Sequence, residues 1–427
     1  MNYLSPEGVR DLDAPACDAA IIGLGYIGLP TAAVLARAGL RVRGVDIRQD
    51  TVDTINAGGV HIEETDLDTL VKDVVARGLL TASTQIAEAD TFVIAVPTPF
   101  TGDHEPDISY VIAALETIAP IVQPGNCIIL ESTSPVGTTA AIAERLAELR
   151  PDLEVPGHCE EGAHDVHFAY CPERVLPGKI IAELVSNDRV IGGLTPSCAE
   201  RAAGFYRRFV EGACVPTTAG VAEMVKLAEN SFRDVNIAFA NELSLIAEDM
   251  GIDVWDVIRM ANRHPRVNIL QPGPGVGGHC IAVDPWFLVS AAPEKARLIR
   301  TARETNDGKA IHVTQKLRAM LEACPDAKLA MLGLAFKPNI DDFRESPALE
   351  IAEALAWDYG ERMLVVEPYA DALPGALEGT GARLVSLEDA MAASELVAVL
   401  VDHDSFKAAP ASMREDKIVY DTRGMWA

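Results

Sequence analysis

Apolar positions along this chain keep two rhythms. Near the start, Ala19-Ala20-Ile21-Ile22 is an apolar run of strand length, and small residues at helical spacing cover Pro30 to Ala38. Gly39 closes that helix, and Arg41–Asp46 reads as the next strand. Further buried strands are predicted at Thr91–Val96, Cys127–Glu131 and about His167–Tyr170. Apolar strands alternating with helical stretches imply a parallel, doubly wound sheet. From Val221 to Met250 the rhythm changes. No Gly or Pro interrupts a helical stripe of Met224, Ala228, Phe232, Val235, Phe239, Leu243 and Ile246. So long a helix bridges two domains or packs on a second subunit, and both are expected here. A second helix covers Val254 to Ala261. The α/β alternation then restarts, with strands at Leu329–Leu334, Met363–Val366, Leu396–Val401 and Ile418–Tyr420 and a helix over Pro347–Ala356. The fold class is therefore α/β: two Rossmann-like doubly wound domains joined by a long central helix and a helical dimerisation region. The expected divisions are an N-terminal extension over 1–18, a first nucleotide-type domain over 19–215, a central helical region over 216–315 and a second nucleotide-type domain over 316–427.

Composition narrows the partners. The 427 residues carry 36 Lys and Arg against 63 Asp and Glu, a formal net charge of −27. Nucleic-acid binding needs basic stripes, so none is expected, and the scattered carboxylates read as a solvated exterior. No apolar run reaches the roughly 18 residues of a membrane span, so no membrane association is expected. Asp11, Asp13 and Asp18 interrupt the first twenty residues, which do not read as a secretory signal. Eight dispersed cysteines without a C-x-x-C pair fit a reduced, cytoplasmic enzyme. His158, Cys159, Glu160, His164 and His167 crowd together, but their spacing matches no structural zinc pattern and no metal is expected.

The first strand runs into Gly23-Leu24-Gly25-Tyr26-Ile27-Gly28. Gly23 permits a tight turn, Gly25 lets backbone approach a pyrophosphate, and Gly28 lets helix and strand pack closely. Phosphates then meet free N–H groups at a helix N-terminus. Asp46, closing the next strand, is placed to bond the adenosine ribose and so select NAD over NADP, although Arg48 stands close by. Two other strand ends, Val96-Pro97-Thr98-Pro99 and Glu131-Ser132-Thr133-Ser134-Pro135-Val136-Gly137, put hydroxyls where open α/β sheets bind ligands. Ordinary turn chemistry would explain them equally well.

Chemistry concentrates in Gln271-Pro272-Gly273-Pro274-Gly275-Val276-Gly277-Gly278-His279-Cys280. So many glycines before one cysteine imply a close-wrapped loop presenting a thiol, and Asp284-Pro285-Trp286-Phe287-Leu288 suggests a helix just after it. Cys280 is the candidate nucleophile. Lys226 and Asn230 sit one turn apart on the long helix and could hold an oxyanion; a solvated surface pair is the plainer alternative. Glu173, in Cys171-Pro172-Glu173-Arg174-Val175, is either a general base or an ion-pair partner of Arg174.

Taken together these segments resemble the UDP-glucose/GDP-mannose dehydrogenase family from about residue 19 to the end. The resemblance rests on Ile22–Pro30, Val96–Pro99, Ser132–Gly137, Glu229–Phe239, Gly275–Trp286, Gly333–Pro338 and Asp341–Pro347, in that order. It implies NAD in the first domain, a UDP-sugar in the second, and a homodimer or higher homo-oligomer. It implies that Cys280 is the nucleophile and that Lys226 and Asn230 stabilise the oxyanion, with Lys226 also a proton acceptor. Asp284 would orient or deprotonate groups near the thiol, and Thr133 and Glu173 would position and activate the hydrolytic water. Arg344 would meet cofactor phosphates and Lys337 the substrate, as would Arg174, Val175 and Gly277. Arg266 would reach a partner subunit's site. Val283 and Pro177 stand where many UDP-glucose relatives carry Lys and Glu, while His279 and Trp286 fit the acetamido-sugar branch. A single-step hydroxy-acid dehydrogenase and a catalytically silent nucleotide-sugar binder are the rival readings.

Overall fold

The computed structural model describes residues 17–426 except 63, 103, 161, 177 and 279. Residues 1–16, Pro177 and His279 thus lie outside the described residues. Cys17 and Asp18, expected in an N-terminal extension, instead open the first strand. The chain forms two compact units, one ending at Ala228 and one beginning at Glu229.

The first unit is built on eight strands: β1 (Cys17–Ile22), β2 (Val42–Val45), β3 (Leu80–Ser83), β4 (Ala89–Ile94), β5 (Cys127–Leu130), β6 (His167–Tyr170), β7 (Arg189–Gly193) and β8 (Cys214–Thr218). Their order in the sheet is β8-β7-β6-β5-β4-β1-β2-β3. Every pair is parallel except β6 with β7. Central strands such as Cys-Ile-Ile-Leu are buried on both faces, which is why they read as unbroken apolar runs. β1 pairs with β2 on one side and β4 on the other, so the carboxyl end of β1 is the crossover point where doubly wound sheets bind ligands. The strands missed by pattern are β3, β7 and β8. β8 is an edge strand with mostly exposed side chains, and β7 ends in Gly192 and Gly193, whose missing side chains leave room for the backbone at 195–199 and 218–219.

The second unit holds a parallel sheet of β9 (Leu329–Leu332), β10 (Met363–Val366), β11 (Arg383–Leu384), β12 (Leu396–Val399) and β13 (Ile418–Asp421), in the order β11-β10-β9-β12-β13. Of the helices, α1 (Gly28–Arg37) follows the glycine turn, α2 (Pro196–Tyr206) follows β7, and α3 (Ala219–Asp249) is the long central helix. Then come α4 (Val254–Ala261), α5 (Asp284–Ala291), α6 (Arg297–Ala323) and α7 (Pro347–Tyr359). Among the described residues no helix is long and apolar enough to cross a membrane.

α3 inverts the usual amphipathic arrangement. Met224, Phe232, Phe239, Ile246 and Met250 are exposed, while Glu223, Lys226, Asp234, Asn241 and Ser244 are buried. α6, not foreseen, hides its period for a related reason. Its buried side mixes Ala302, Ala310, Val313, Leu317 and Leu321 with Arg303, Asn306 and Lys309. An apolar stripe broken by three buried polar residues has no clean 3.6 signal.

Candidate active site

The glycine turn after β1 has the shape a dinucleotide needs. Gly23 has φ +94°, and a Cβ there would stand 2.5 Å from the Ala95 carbonyl oxygen. A Cβ on Gly28 would lie 1.8 Å from the carbonyl oxygen of Gly23, so helix and turn touch through backbone alone. A Cβ on Gly25 would meet nothing within 4 Å, leaving open the spot where a pyrophosphate approaches. Tyr26 and Ile27 are half-buried within this turn. Asp46 accepts from the Leu24 N–H at 3.0 Å through Oδ2 and from the Arg48 N–H at 3.0 Å through Oδ1. Its carboxylate is thereby fixed beside the turn. The Arg48 guanidinium pairs with Asp50 (Nε to Oδ1, 3.1 Å). These residues fit NAD.

The neighbouring strand ends are stitched by hydroxyls. Thr98, buried, donates to the Thr133 carbonyl, and Ser132 donates to the Val96 carbonyl at 2.6 Å. Pro97 is exposed and the Thr133 side chain half-buried. Thr98 and Ser132 thus commit their hydroxyls to neighbouring backbone, and Thr133 is held through its carbonyl. Beyond β6, the Glu173 carboxylate accepts from the Arg174 N–H at 2.7 Å and pairs with Arg189, not with the Arg174 guanidinium. That pair is 2.7 Å long with both side chains almost wholly buried. The Arg174 guanidinium instead donates to the Asp188 carbonyl, and Val175 is half-buried beside it. Lys226, also buried, donates to the Glu173 carbonyl at 2.8 Å. Lys226 and Glu173 are thus neighbours, and the surface-pair alternative for Lys226 falls away.

In the second unit Cys280 is exposed at the head of a helical turn, its carbonyl accepting from the N–H of Asp284 at 2.8 Å. The glycines before it serve packing as well as approach. A Cβ on Gly277 would stand 2.3 Å from the Glu345 carbonyl oxygen, and one on Gly278 (φ +83°) 2.7 Å from the Phe336 ring. The Gly278 N–H also donates to the Arg344 carbonyl at 3.2 Å. Hence the loop lies directly on the 336–347 segment that carries Lys337 and Arg344. Asp284 is buried and accepts from the Asn230 amide at 2.5 Å. Asp284 therefore orients Asn230. Arg344 pairs with Asp342 (Nη2 to Oδ2, 2.6 Å), Lys337 is half-buried, and Arg266 is exposed.

Three family models match the chain in order. The NAD binding domain of the UDP-glucose/GDP-mannose dehydrogenase family covers residues 17–210, its central domain 220–308 and its UDP binding domain 330–427. The chain belongs to the UDP-glucose/GDP-mannose dehydrogenase family. It is an NAD-dependent UDP-sugar dehydrogenase. A Salmonella typhi protein named UDP-N-acetyl-D-mannosamine dehydrogenase is 57% identical over 415 residues, 95% of this chain and 98% of the relative. A Ralstonia nicotianae protein named NDP-N-acetyl-D-galactosaminuronic acid dehydrogenase is 52% identical over 418 residues, 98% of each. The structure of a UDP-D-ManNAc dehydrogenase from Pyrococcus horikoshii is similar with a TM-score of 0.84 at 39% identity, covering 96% of each chain.

Sequence reasoning missed the residues that hold this dehydrogenase's candidate catalytic groups in place. Glu131 is buried, accepting from Tyr206 Oη at 2.7 Å and Thr31 Oγ1 at 3.4 Å, and burial pushes its carboxyl up to about 7. Glu223 accepts from the Gly137 N–H at 2.7 Å and the Thr139 N–H at 2.8 Å, tying the Ser132–Gly137 loop to α3. Asp234 pairs with Arg303 at 2.7 Å and accepts from Asn306 at 2.8 Å. Asn241 accepts from the Gly273 N–H at 2.9 Å at the root of the cysteine loop. A signal existed: Glu223, Lys226, Asn230, Asp234 and Asn241 recur every three, four or seven residues along one side of α3. Such a stripe normally means water.

Proposed function

We propose that this chain oxidises the C6 alcohol of UDP-N-acetyl-D-mannosamine to UDP-N-acetyl-D-mannosaminuronic acid through a thioester on Cys280. The observation that carries the reading is an exposed thiol, on a glycine loop packed against the 336–347 segment, near the hydrogen-bonded pair of buried Asp284 and half-buried Asn230. The names of the relatives support the sugar. Bound NAD supplies the hydride acceptor for each oxidation. Gly23, Gly25, Tyr26, Ile27, Gly28 and Asp46 would hold it, with Pro97, Thr98, Thr133 and Arg344.

In this scheme Lys226 takes the hydroxyl proton as the alcohol becomes an aldehyde. The Cys280 thiolate adds to the aldehyde carbon, and Lys226 and Asn230 stabilise the resulting oxyanion. Hydride loss from the thiohemiacetal gives the thioester. Water activated by Glu173 and Thr133 then cleaves the C–S bond, releasing the uronate and restoring the thiol. Arg174, Val175, Gly277 and Lys337 contact the sugar nucleotide, and Arg266 serves a partner's site. The exposed Met224–Met250 stripe of α3 is the surface on which a second copy packs, making a homodimer or higher oligomer. Dispersed cysteines without a C-x-x-C pair support the cytoplasm as its compartment.

The test is NADH stoichiometry across the UDP derivatives of N-acetylmannosamine, N-acetylglucosamine, N-acetylgalactosamine and glucose. The expected result is two NADH per sugar, with kcat/KM highest for N-acetylmannosamine. The galactosamine arm answers the name of the 52% identical relative. One NADH per sugar would refute the thioester route, and binding without NADH would make this a silent binder. A different preferred sugar would overturn the substrate alone.

A further inference from the structure

One cluster of metal-ligating side chains lies apart from this chemistry. The loop that precedes β6 is closed at its base by Glu154 and Asp165: the Asp165 N–H donates to the Glu154 carbonyl at 2.7 Å and the Glu154 N–H to Asp165 Oδ2 at 2.9 Å. That closure brings His164 against His167, the first residue of β6, with ring centroids 5.0 Å apart and edge-on. Because β7 runs antiparallel to β6, the start of α2 returns to the end of the sheet where β6 begins and delivers Cys198. One ligand atom from each of His164, His167 and Cys198 lies within 4.8 Å of the other two. Only two members of the crowded 158–167 stretch take part; the third comes from a position 31 residues further on, which no spacing rule could have supplied.

We propose that His164, His167 and Cys198 bind a zinc-type divalent ion as a two-imidazole, one-thiolate site. Zn–N bonds of about 2.05 Å and Zn–S bonds of about 2.3 Å at tetrahedral angles separate an imidazole nitrogen from a sulfur by roughly 3.6 Å. His164 Nε2 and Cys198 Sγ stand 3.6 Å apart. A thiol–imidazole hydrogen bond would explain that one edge of the triangle, but not the third member. Nδ1 of His167 is buried and has no hydrogen-bond partner among the described residues, the condition of a donor atom awaiting a ligand. The supports are polar and local. Ser197 Oγ is 3.1 Å from His164 Nε2, and Thr195 Oγ1 donates to Cys198 Sγ at 3.1 Å. Arg201, the nearby cation on α2, is answered by Asp90 at 2.8 Å. The soft thiolate with two imidazoles suits zinc or cobalt rather than magnesium or calcium. Binding displaces the Cys198 proton to solvent, and the fourth position is open to water. The ion clamps the 154–165 loop to α2. β6 separates the cluster from Glu173, which follows the strand's opposite end, so the ion stands apart from the proposed oxidation.

The experiment titrates chelator-treated, full-length protein with Co2+ and follows the thiolate-to-cobalt charge-transfer absorption. Wild type should show one saturable equivalent per chain, with the band removed on adding Zn2+. Cys198→Ser should abolish the band, and His167→Ala should weaken binding by a factor on the order of ten to a hundred or more. Cys280→Ala should leave the band intact, which separates this site from the proposed nucleophile and makes its failure independent of the reaction. No band in wild type, or an unchanged band in Cys198→Ser, overturns the proposal.

Discussion

Replacing Arg303 by Leu should unseat the cysteine loop and destabilise the second unit, and the size of the effect follows from burial. Arg303 is 2% exposed and its partner Asp234 wholly buried, with 2.7 Å between Nη1 and Oδ1. Removing the guanidinium leaves a buried carboxylate with only Asn306, among the described residues, donating a hydrogen bond to it. Breaking one side of such a pair costs about 3–5 kcal/mol. At roughly 2–4 °C per kcal/mol for a unit of this size, the midpoint should fall by about 6–20 °C. The loss should depend on pH. Burial already raises the Asp234 carboxyl above its ordinary value while Arg303 opposes the shift, so the variant's carboxyl rises further. A carboxyl raised in the folded state contributes stability that is fully present below its unfolded pKa and is lost as pH rises through the folded one. The deficit should therefore be largest near neutral pH and shrink toward about pH 5. Calorimetry across that range reads it. Adding Asp234→Asn to Arg303→Leu should recover most of the loss, because the uncompensated charge is gone. An Arg303→Leu protein that melts with wild type, or a double variant no better than the single, would refute the reasoning. Activity supplies a second readout, since Nη1 also approaches the Ile281 carbonyl at 3.5 Å, one residue from the thiol.

Gly25→Ala and Gly28→Ala should separate ligand approach from packing. The first should leave the melting temperature unchanged and weaken NADH binding by fluorescence, whereas overpacking in the second should cost about 1–3 kcal/mol of stability; equal effects on both readouts would contradict the assignment. Glu131→Gln should flatten the fall in stability between about pH 5 and pH 8, because the native carboxyl is raised to about 7 and its contribution is lost as pH climbs through that value; an unaltered slope in pH-dependent unfolding would count against it. Cys280→Ser should lower uronate production by two or more orders of magnitude, with the aldehyde or an ester detected by mass spectrometry; full-speed release of the acid would end the covalent scheme. Phe232→Glu with Phe239→Glu should shift sedimentation toward the monomer while the isolated chain stays folded, and an unmoved sedimentation coefficient would dissociate the stripe from assembly.

Much of the fold could be read because its strands are short, doubly buried and bounded by turn residues. His167–Tyr170 and Met363–Val366 fall where the apolar runs placed them, and Val254–Ala261 is bounded as expected, with Asp253 capping it. The elements that escaped are those whose neighbours, not their own residues, fix them. β8 shows the sheet only an edge, and α6 buries Arg303, Asn306 and Lys309 because α3 offers Asp234, Asn241 and Ser244 to receive them. The glycine turn and the cysteine loop were legible for the opposite reason. Their glycines stand in short consecutive runs, so close backbone packing can be read there without knowing a distant partner.

α3 shows where reading stops, and also why the candidate site depends on it. Judged by pattern, its phenylalanines belong inside and its Glu, Lys, Asn and Asp outside. Burial of the polar side makes sense only because each buried group has a distant partner. Glu223 meets the backbone at 137–139, Lys226 the Glu173 carbonyl, Asn230 Asp284, and Asn241 Gly273. A buried unpaired polar group costs about 1–3 kcal/mol, so such a stripe persists only if the whole set is satisfied at once. Within the first unit the helix thereby reaches the Ser132–Gly137 loop and the strand end at Glu173, and within the second unit the cysteine loop. It leaves Phe232 73% exposed and Phe239 54% exposed, a surface with no reason to face water in a helix that spends its polar residues inward. The inversion is one arrangement seen from two sides, since a helix that turns its hydrophilic face toward distant partners leaves its hydrophobic face exposed.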